Sequence, residues 1–320
     1  MTRPISVMIP TLRRPEGLER AVRSVLAQEG ADELVQAVVV VDNSPEGSAR
    51  RFVDRLRRRT AVPLLYVHEP TPGVATARNA GLMACHAPYV AFLDDDEEAP
   101  PQWLAHLFLT HRTHKADVTF GPVRAVTPED CGWPRPYLDR FFSRLGPATS
   151  GPTDTVYGCG NSLMTRATAL GGANPFNVDL DQVGGEDDHL FERIREDGGV
   201  FAWAAEAHVL EHVPPHRANL GYTLRRAFSY GQTPARMCFD RRPRDWLGVF
   251  RWMCVGAGQT LLFGSAWLVA WALQRPGRAE LADRASRGLG KVIWWRTPQF
   301  YGAAEVARTE PAVVPPLAAE

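Results

Sequence analysis

Two acidic segments of the chain lie where a binding site would need them. Asp94–Asp96 directly follow the apolar run Tyr89–Leu93, and Asp42 follows the valines Val38–Val41. Ligands of open parallel sheets bind beyond the carboxyl ends of the strands, so these carboxylates are candidates for a functional site. Adjacent carboxylates stay ionised together more easily around a cation, and hard oxygen ligands suit Mg²⁺ or Mn²⁺ bound with substrate phosphates. The segment therefore indicates a divalent metal and a diphosphate, with a solvated acidic loop as the alternative.

Three further side chains have both a chemical and a structural interpretation. Arg78 lies in a helix of small residues that begins after Gly73, a place suited to an anion, and it faces either a phosphate or an acidic side chain. Asp187 opens an amphipathic helix, where an acid also complements the helix dipole. His212 follows Glu211, and an imidazole there is more often packed or solvated than bound to a metal. The residues alone leave these alternatives open.

The elements that must position these residues form an α/β pattern. Apolar runs rich in β-branched residues alternate with helical periodicity, which is typical of βα units and a mostly parallel sheet. Predicted strands cover residues 5–9, 35–41, 64–67, 89–93 and 118–126, and predicted helices cover 15–28, 46–59, 74–85, 101–114, 186–196 and 220–237. The Pro- and Gly-rich span 128–158 is predicted to be irregular.

One apolar segment near the carboxyl end is long enough to meet a membrane. Trp252–Gln274 contains 23 residues without a charge, bounded by Arg251 and Arg275, and about 20 apolar residues suffice to cross the hydrocarbon core. Glycines dilute the segment, and its tryptophans and flanking arginines suit an anionic headgroup region. We expect an interfacial or re-entrant segment, with a true span and a buried hairpin as alternatives.

Composition excludes several classes of protein. The 320 residues are 45% hydrophobic and 22% charged, which fits a globular chain and excludes a disordered, collagenous or disulfide-scaffold protein. Lys+Arg and Asp+Glu are 36 each, which argues against nucleic acid as the partner, although residues 215–320 carry a net charge of +8 and the preceding residues −8. Five cysteines without a CxxC pair, and an amino terminus without an apolar signal core, lead us to expect reduced thiols and a cytoplasmic start.

Taken together, these segments resemble the inverting nucleotide-sugar glycosyltransferases of family 2, which have the GT-A fold. The resemblance runs from about residue 5 to 215 and rests on SVMIPTLRRPEGLERAVRSVLAQ, VVVVDNS, GVATARNAGLMACHAPYVAFLDDD, GCGNSLMTR and GGEDDHLFERI. A weaker match, from EHVPPHRANLGYTLRRAFSYGQT into the apolar and basic tail, is to members of the succinoglycan type that build bacterial surface polysaccharides on lipid carriers. The resemblance to family 2 implies a Rossmann-like, mostly parallel sheet flanked by helices over residues 1–215, with a donor half at 1–126 and an acceptor half at 127–215. Residues 216–320 would then form a helical, membrane-associated region.

The resemblance also implies a nucleotide and metal site. Pro10 and Thr11 would shape the nucleotide pocket, and Asp42 would contact the base or ribose. Arg78 would lie near the base and phosphates. A DXD-like element would comprise Asp94, Asp95 and Asp96, with Asp96 as the expected metal ligand and Asp94 and Asp95 ordering ribose, sugar or coordinated water. The register is ambiguous, so Asp94 is an alternative ligand, and His212 would complete the metal shell.

The reaction implied is a single displacement with inversion. Asp187 would act as the catalytic base, with Glu186 as the alternative, and His189 stands where many relatives carry a second acid. The chain would transfer a hexose from a nucleotide-sugar, with UDP expected, to a polyprenyl-diphosphate-linked saccharide at the cytoplasmic face of the inner membrane. A catalytically silent nucleotide-sugar or carbohydrate-binding relative is the alternative. A prenyl-diphosphate enzyme using Asp94, Asp95 and Glu98 is disfavoured, because that chemistry belongs to all-helical folds.

Overall fold

The computed structural model describes residues 3–182, 184–296 and 298, and these residues form two compact units. The first contains residues 3–122 and Gly146–Val209, and the second contains Val123–Leu145 and Leu210–Pro298. This division by contacts differs from the boundary predicted near residue 215.

Eleven strands and ten helices are described within these residues. The strands are β1 (Ile5–Thr11), β2 (Val35–Asp42), β3 (Leu64–His68), β4 (Tyr89–Phe92), β5 (Glu97–Glu98), β6 (Val118–Phe120), β7 (Val123–Val126), β8 (Gly151–Pro152), β9 (Ser162–Thr165), β10 (Phe201–Trp203) and β11 (Val209–His212). The helices are α1 (Pro15–Leu26), α2 (Ala31–Leu34), α3 (Arg50–Arg57), α4 (Val74–Ala84), α5 (Trp103–His114), α6 (Arg135–Phe142), α7 (Glu186–Glu196), α8 (Leu220–Asp240), α9 (Trp246–Ala272) and α10 (Arg278–Val292).

The first unit is built on an eight-stranded sheet in the order β3-β2-β1-β4-β9-β6-β10-β8. Strands β3, β2, β1 and β4 are parallel to one another, and β10 is parallel to β6. Strand β9 runs antiparallel to both of its neighbours, and β8 runs antiparallel to β10. The α/β fold is confirmed, and its parallel part brings the carboxyl ends of β1, β2 and β4 to one edge.

Packing of helices on this parallel part follows from residue size. Leu18, Val22 and Val25 of α1 recur at helical spacing and are buried. Helix α4 approaches the sheet closely through small residues, because a Cβ on Gly81 would lie 2.6 Å from Val41 Cγ2. The predicted helix at 46–59 begins later, at Arg50, because a turn with Gly47 at φ +72° precedes it.

Two predictions between residues 118 and 158 were wrong. The strand predicted over 118–126 is two strands, interrupted at Gly121–Pro122. A Cβ on Gly121 would lie 2.2 Å from the carbonyl oxygen of Ala207, so the chain turns there in close backbone contact. The span predicted to be irregular contains α6, whose Tyr137 and Leu138 are buried against Ala279.

The second unit contains α6, the long helices α8, α9 and α10, strand β7 and residues 210–212 of β11. The long helices pack through small residues, since a Cβ on Gly231 would lie 2.1 Å from the carbonyl oxygen of Arg287. Helix α9 covers 27 residues and begins six residues before the predicted apolar segment. It is long and apolar enough to cross a membrane, and 11% of its most apolar window is buried.

Candidate active site

The aspartates after β4 are held by residues that follow β1. Thr11 Oγ1 donates a hydrogen bond of 2.7 Å to Asp95 Oδ2. Arg14 Nη1 lies 2.8 Å from Asp95 Oδ1 and 2.9 Å from Asp96 Oδ2, so one guanidinium joins both carboxylates. Burial raises the pKa of Asp95, against the pull of Arg14. Sequence reasoning missed Arg14, whose only signal was its position directly after a strand that reaches this edge.

Arg78 connects the third aspartate to the start of α7. Its buried guanidinium forms an ion pair with Glu186 and lies 3.7 Å from Asp94 Oδ1. Burial favours loss of its proton, but the carboxylates of Glu186 and Asp94 outweigh burial and raise the pKa of Arg78. Of the two partners that the sequence left open for Arg78, the structure shows the acidic side chains.

The amino end of α4 does hold an anion, and that anion is a side chain of the chain itself. Asp181 Oδ1 accepts hydrogen bonds from the backbone amides of Ala75 and Thr76 at 2.7 and 3.1 Å, and its Oδ2 accepts one from Thr76 Oγ1. A Cβ on Gly73 would lie 2.2 Å from Asp181 Cγ, so the carboxylate fits only over a glycine. The turn before α7 is therefore fastened to α4, in addition to the pair formed by Arg78.

The two candidate bases differ in environment. Glu186 is 5% exposed, and its side chain is committed to Arg78. Asp187 is half-buried, and its Oδ2 accepts a hydrogen bond of 3.2 Å from the backbone amide of Cys159. The next residue, Gly160, has no room for a Cβ, which would lie 2.5 Å from Asp94 Oδ2. The backbone of residues 159–160 thus brings Asp187 and Asp94 to the same place.

Asp42 occupies the edge beside Thr11 but has no exposed surface. Its Oδ1 accepts hydrogen bonds from the amide and hydroxyl of Ser44, and its Oδ2 accepts them from the amide of Ala49 and the hydroxyl of Tyr66. A carboxylate offers about four acceptor positions, so these donors fill them. The side chain fixes the loop after β2, and its contact with a base or ribose stays a prediction.

The remaining predicted residues are Pro10 and His212. Pro10 is half-buried on β1 and pairs in register with Val41. His212 ends β11 and belongs to the second unit, and its role as a metal ligand stays a prediction.

The carboxylates after β4 have the chemistry that a divalent metal prefers. Within residues 3–182, 184–296 and 298, the side chains of His, Cys, Asp and Glu form no ready-made group of three or more around one point. Asp94, with its side chain 33% exposed, and Asp96 supply hard oxygens at the open edge. This donor set fits an ion that takes one or two carboxylates and completes its shell with substrate phosphates. Below, the residues Thr11, Arg14, Arg78, Asp94–Asp96, Glu186 and Asp187 are called the acidic edge.

Comparison with known proteins now decides the family. Residues 6–169 match the model of glycosyl transferase family 2. The chain belongs to this family. It is 37% identical over 238 residues to succinoglycan biosynthesis protein ExoM of Rhizobium meliloti, covering 74% of this chain and 76% of the relative. It is also 35% identical over 149 residues to validoxylamine A glucosyltransferase of Streptomyces hygroscopicus subsp. limoneus, covering 45% of this chain and 31% of the relative.

Solved structures agree on the fold of this family 2 glycosyltransferase. GalNAc-T7 with UDP, GalNAc and Mn²⁺ superposes with a TM-score of 0.53 at 17% identity, covering 72% of this chain and 50% of that one. TarS 1–349 of S. aureus in complex with UDP-GlcNAc superposes with a TM-score of 0.50 at 13% identity, covering 77% and 69%. The GT-A fold and the transferase class predicted from sequence are confirmed, and the acidic edge belongs to a glycosyltransferase.

Proposed function

We propose that this glycosyltransferase moves a hexose from a UDP-sugar to a polyprenyl-diphosphate-linked saccharide, with inversion and with the help of a divalent metal. The observation that carries the proposal is the meeting of Asp187 and Asp94 across the backbone of residues 159–160. Asp187 is a half-buried carboxylate that suits the acceptor hydroxyl. Asp94 is one of the carboxylates that suit a metal on the donor side.

Asp187 acts as the general base. It takes the proton of the acceptor hydroxyl while that oxygen attacks the anomeric carbon from the face opposite the nucleotide. General-base catalysis of this kind contributes roughly 10² to 10⁴ in rate. Glu186 is the weaker candidate, because its carboxylate already pairs with Arg78 and would leave that cation uncompensated if it took up a proton.

Asp96 and Asp94 would hold the divalent metal. When bound, the metal supplies positive charge that stabilises the departing diphosphate. GalNAc-T7, whose structure is similar, contains UDP and Mn²⁺ together, and this supports binding of a nucleotide with a divalent metal. Arg78, which stays protonated beside Asp94, adds a second cation on the donor side.

The nucleotide binds over the ends of β1 and β2. Pro10 and Thr11 form the floor of this pocket, and Asp95 orders ribose, sugar or coordinated water. Asp42 serves the pocket by fixing the loop after β2 through the amides of Ser44 and Ala49.

A lipid-linked acceptor at the cytoplasmic face of the inner membrane is supported by two observations. The similar protein of Rhizobium meliloti is named for succinoglycan biosynthesis, and the apolar helix α9 is mostly exposed. All five cysteines, Cys85, Cys131, Cys159, Cys238 and Cys254, are unpaired, which fits a reducing compartment.

Release of UDP from UDP-glucose in the presence of Mn²⁺ and bacterial membrane lipid tests the proposal. We expect lipid-dependent release by the wild type and loss of that release in Asp187→Asn. The alternative of a silent binding relative predicts binding of UDP-glucose with no release by either protein. Transfer that continues unchanged in Asp187→Asn would remove the assigned base.

A further inference from the structure

The outer face of α9 is apolar along the whole helix. Arg251 is its single charged residue. The exposed fractions of the residues that define this face run from 58% at Leu268 to 80% at Leu247, and a helical turn of 3.6 residues places them on one side of the helix. These residues, called the α9 face below, are Leu247, Phe250, Leu261, Leu262, Leu268 and Val269. Soluble surfaces rarely leave so continuous an apolar area without a partner.

The opposite side of α9 packs on α10 at the middle of α9. A Cβ on Gly256 would lie 2.5 Å from the carbonyl oxygen of Gly288, so the two backbones almost touch. Thr260 Oγ1 donates a hydrogen bond of 3.4 Å to the carbonyl oxygen of Ala285. The guanidinium of Arg284 lies 5.3 Å from the ring of Phe263. The central turns of α9 are thus covered by α10.

Helix α10 is strongly charged where it covers α9. Its ionisable residues are Arg278, Glu280, Asp283, Arg284, Arg287 and Lys291. A charged side chain near the bilayer centre is costly, and a crossing α9 would carry Arg284 and its neighbours to that depth. A helix lying in the plane of the headgroups avoids this cost, because only its outer face enters the hydrocarbon.

We infer that α9 binds an anionic bilayer surface lengthwise, with the α9 face in the lipid and α10 on the aqueous side, and does not cross the membrane. Charge complementarity supports lipid as the occupant. Exposed arginines lie beyond the two ends of α9, at Arg244 and Arg275, and within the helix at Arg251, and residues 215–320 carry the net charge of +8. The inference rests on the proposed function in one respect, which is that the acceptor is located in a membrane.

Thiol labelling at the two ends of α9 separates a flat helix from a spanning one. Arg241→Cys and Gln274→Cys are each made in the full chain with Cys254→Ser, the parent giving the background from the four other cysteines. Inverted inner-membrane vesicles are treated with an impermeant maleimide before and after detergent. Equal labelling of both ends before detergent is the expected result. Labelling of one end only after detergent would show a span and overturn the inference.

Vesicle binding by charge variants identifies the occupant. We expect the wild type to float with vesicles of phosphatidylcholine and phosphatidylglycerol, and Leu261→Asp with Leu268→Asp to weaken this binding by about tenfold or more. Leu109→Asp, at an exposed leucine of the first unit, serves as the matched control and keeps binding. A stable dimer without lipid, abolished by the same double variant, would overturn the inference in favour of a second copy. Binding of UDP-glucose is measured separately, so that a failure of the donor site can be distinguished from a failure of lipid binding.

A second inference comes from the contact of Arg14 with two carboxylates. One nitrogen of its guanidinium lies within 2.9 Å of both Asp95 and Asp96. A single cation therefore already pairs with Asp96, which is proposed to bind the metal, and with its neighbour Asp95. We propose that Arg14 is their internal counter-ion and holds the affinity for free metal low until a nucleoside diphosphate arrives. Phosphate oxygens would then supply the further ligands that a metal needs, and Arg14 would release Asp96.

Mn²⁺ binding followed by electron paramagnetic resonance, without nucleotide, tests this role. We expect Arg14→Gln to bind Mn²⁺ about tenfold more tightly than the wild type, because a competing charge is removed. Arg14→Lys keeps the charge and is expected to resemble the wild type. Arg13→Gln is the matched control, since Arg13 pairs with Glu46 instead. Equal or weaker binding by a folded Arg14→Gln protein would overturn the proposal, whether or not UDP-glucose binds.

Discussion

The acidic edge of the first unit and the α9 face of the second differ in how their side chains are partnered. At the acidic edge, Arg14 forms ion pairs with Asp95 and Asp96, and Arg78 forms one with Glu186. Along the α9 face, large apolar side chains are exposed, and Arg251 is the one charged residue of α9, whereas α10 carries six ionisable residues. The charged side chains of the acidic edge are thus already paired within the chain, whereas the α9 face is proposed to find its partner in a lipid surface outside the chain.

The largest effect is expected at the edge, from Asp187→Asn. The amide keeps the shape and the hydrogen bond from Cys159 but cannot take a proton. Transfer should fall by roughly 10²- to 10⁴-fold, with unchanged affinity for UDP-glucose, measured by single-turnover rates and calorimetry. Asp188→Asn, on the neighbouring exposed residue, is the control that keeps transfer. Comparable losses in both variants would argue against a specific base.

Breaking the buried pair of Arg78 and Glu186 should destabilise the first unit. Both residues are 5% exposed, and removal of one partner from a buried pair costs about 3–5 kcal/mol of unfolding free energy. We expect this loss in Glu186→Gln, measured by denaturant unfolding. The double variant Arg78→Met with Glu186→Gln should recover part of the loss, because no buried guanidinium is left without the carboxylate of Glu186. A double variant as unstable as the sum of both single variants would contradict the coupling.

A smaller effect is expected from Asp96→Ala on donor binding. The variant loses one of the carboxylates proposed for the metal, so affinity for UDP-glucose with Mn²⁺ should fall by about tenfold or more. Affinity without metal should not change. Asp32→Ala, on an exposed residue of α2, is the control. Equal loss with and without Mn²⁺ would place Asp96 in direct contact with the donor.

The smallest effect is a pH dependence of stability at Asp188. Asp188 as a whole residue is exposed, but partial desolvation of its carboxyl group and the neighbouring charge of Asp187 raise the pKa of Asp188 from 3.8 to about 6. The folded state therefore holds this proton more tightly than the unfolded state, and stability falls as the pH rises from about 4 to about 6. Asp188→Asn should melt at a higher temperature than the wild type at pH 7 and at the same temperature below pH 4. A wild type that is more stable than the variant at pH 7 would reverse the sign.

Sequence patterns predicted the fold and the location of the edge better than the partners within it. Buried valines before Asp42 and the apolar run before Asp94 fixed which strands end at the site, because strand periodicity is local. The hydrogen bonds of Asp181 to the amino end of α4, above Gly73, join residues more than a hundred positions apart. No local sequence pattern indicates such a contact.

Long-range packing also explains what was missed. Prolines flank and enter α6, which made its span look irregular, and its burial depends on Ala279 far along the chain. The contacts of Arg14 are likewise visible only once β1 and β4 lie side by side, and the hydroxyl of Tyr66 reaches Asp42 only because β3 pairs with β2. The residue types were available in the sequence, and their pairing was not.

Calorimetric titration with UDP-glucose tests the central claim, that the acidic edge binds a nucleotide-sugar with a divalent metal. The wild type and the variant with Leu261→Asp and Leu268→Asp should bind equally with Mn²⁺ and lose this binding in EDTA, with GDP- and dTDP-glucose as comparison donors. Asp96→Ala should bind weakly in either condition. Binding of UDP-glucose by the wild type that is unaffected by EDTA, or no binding of any of these donors by the folded protein, would contradict the account.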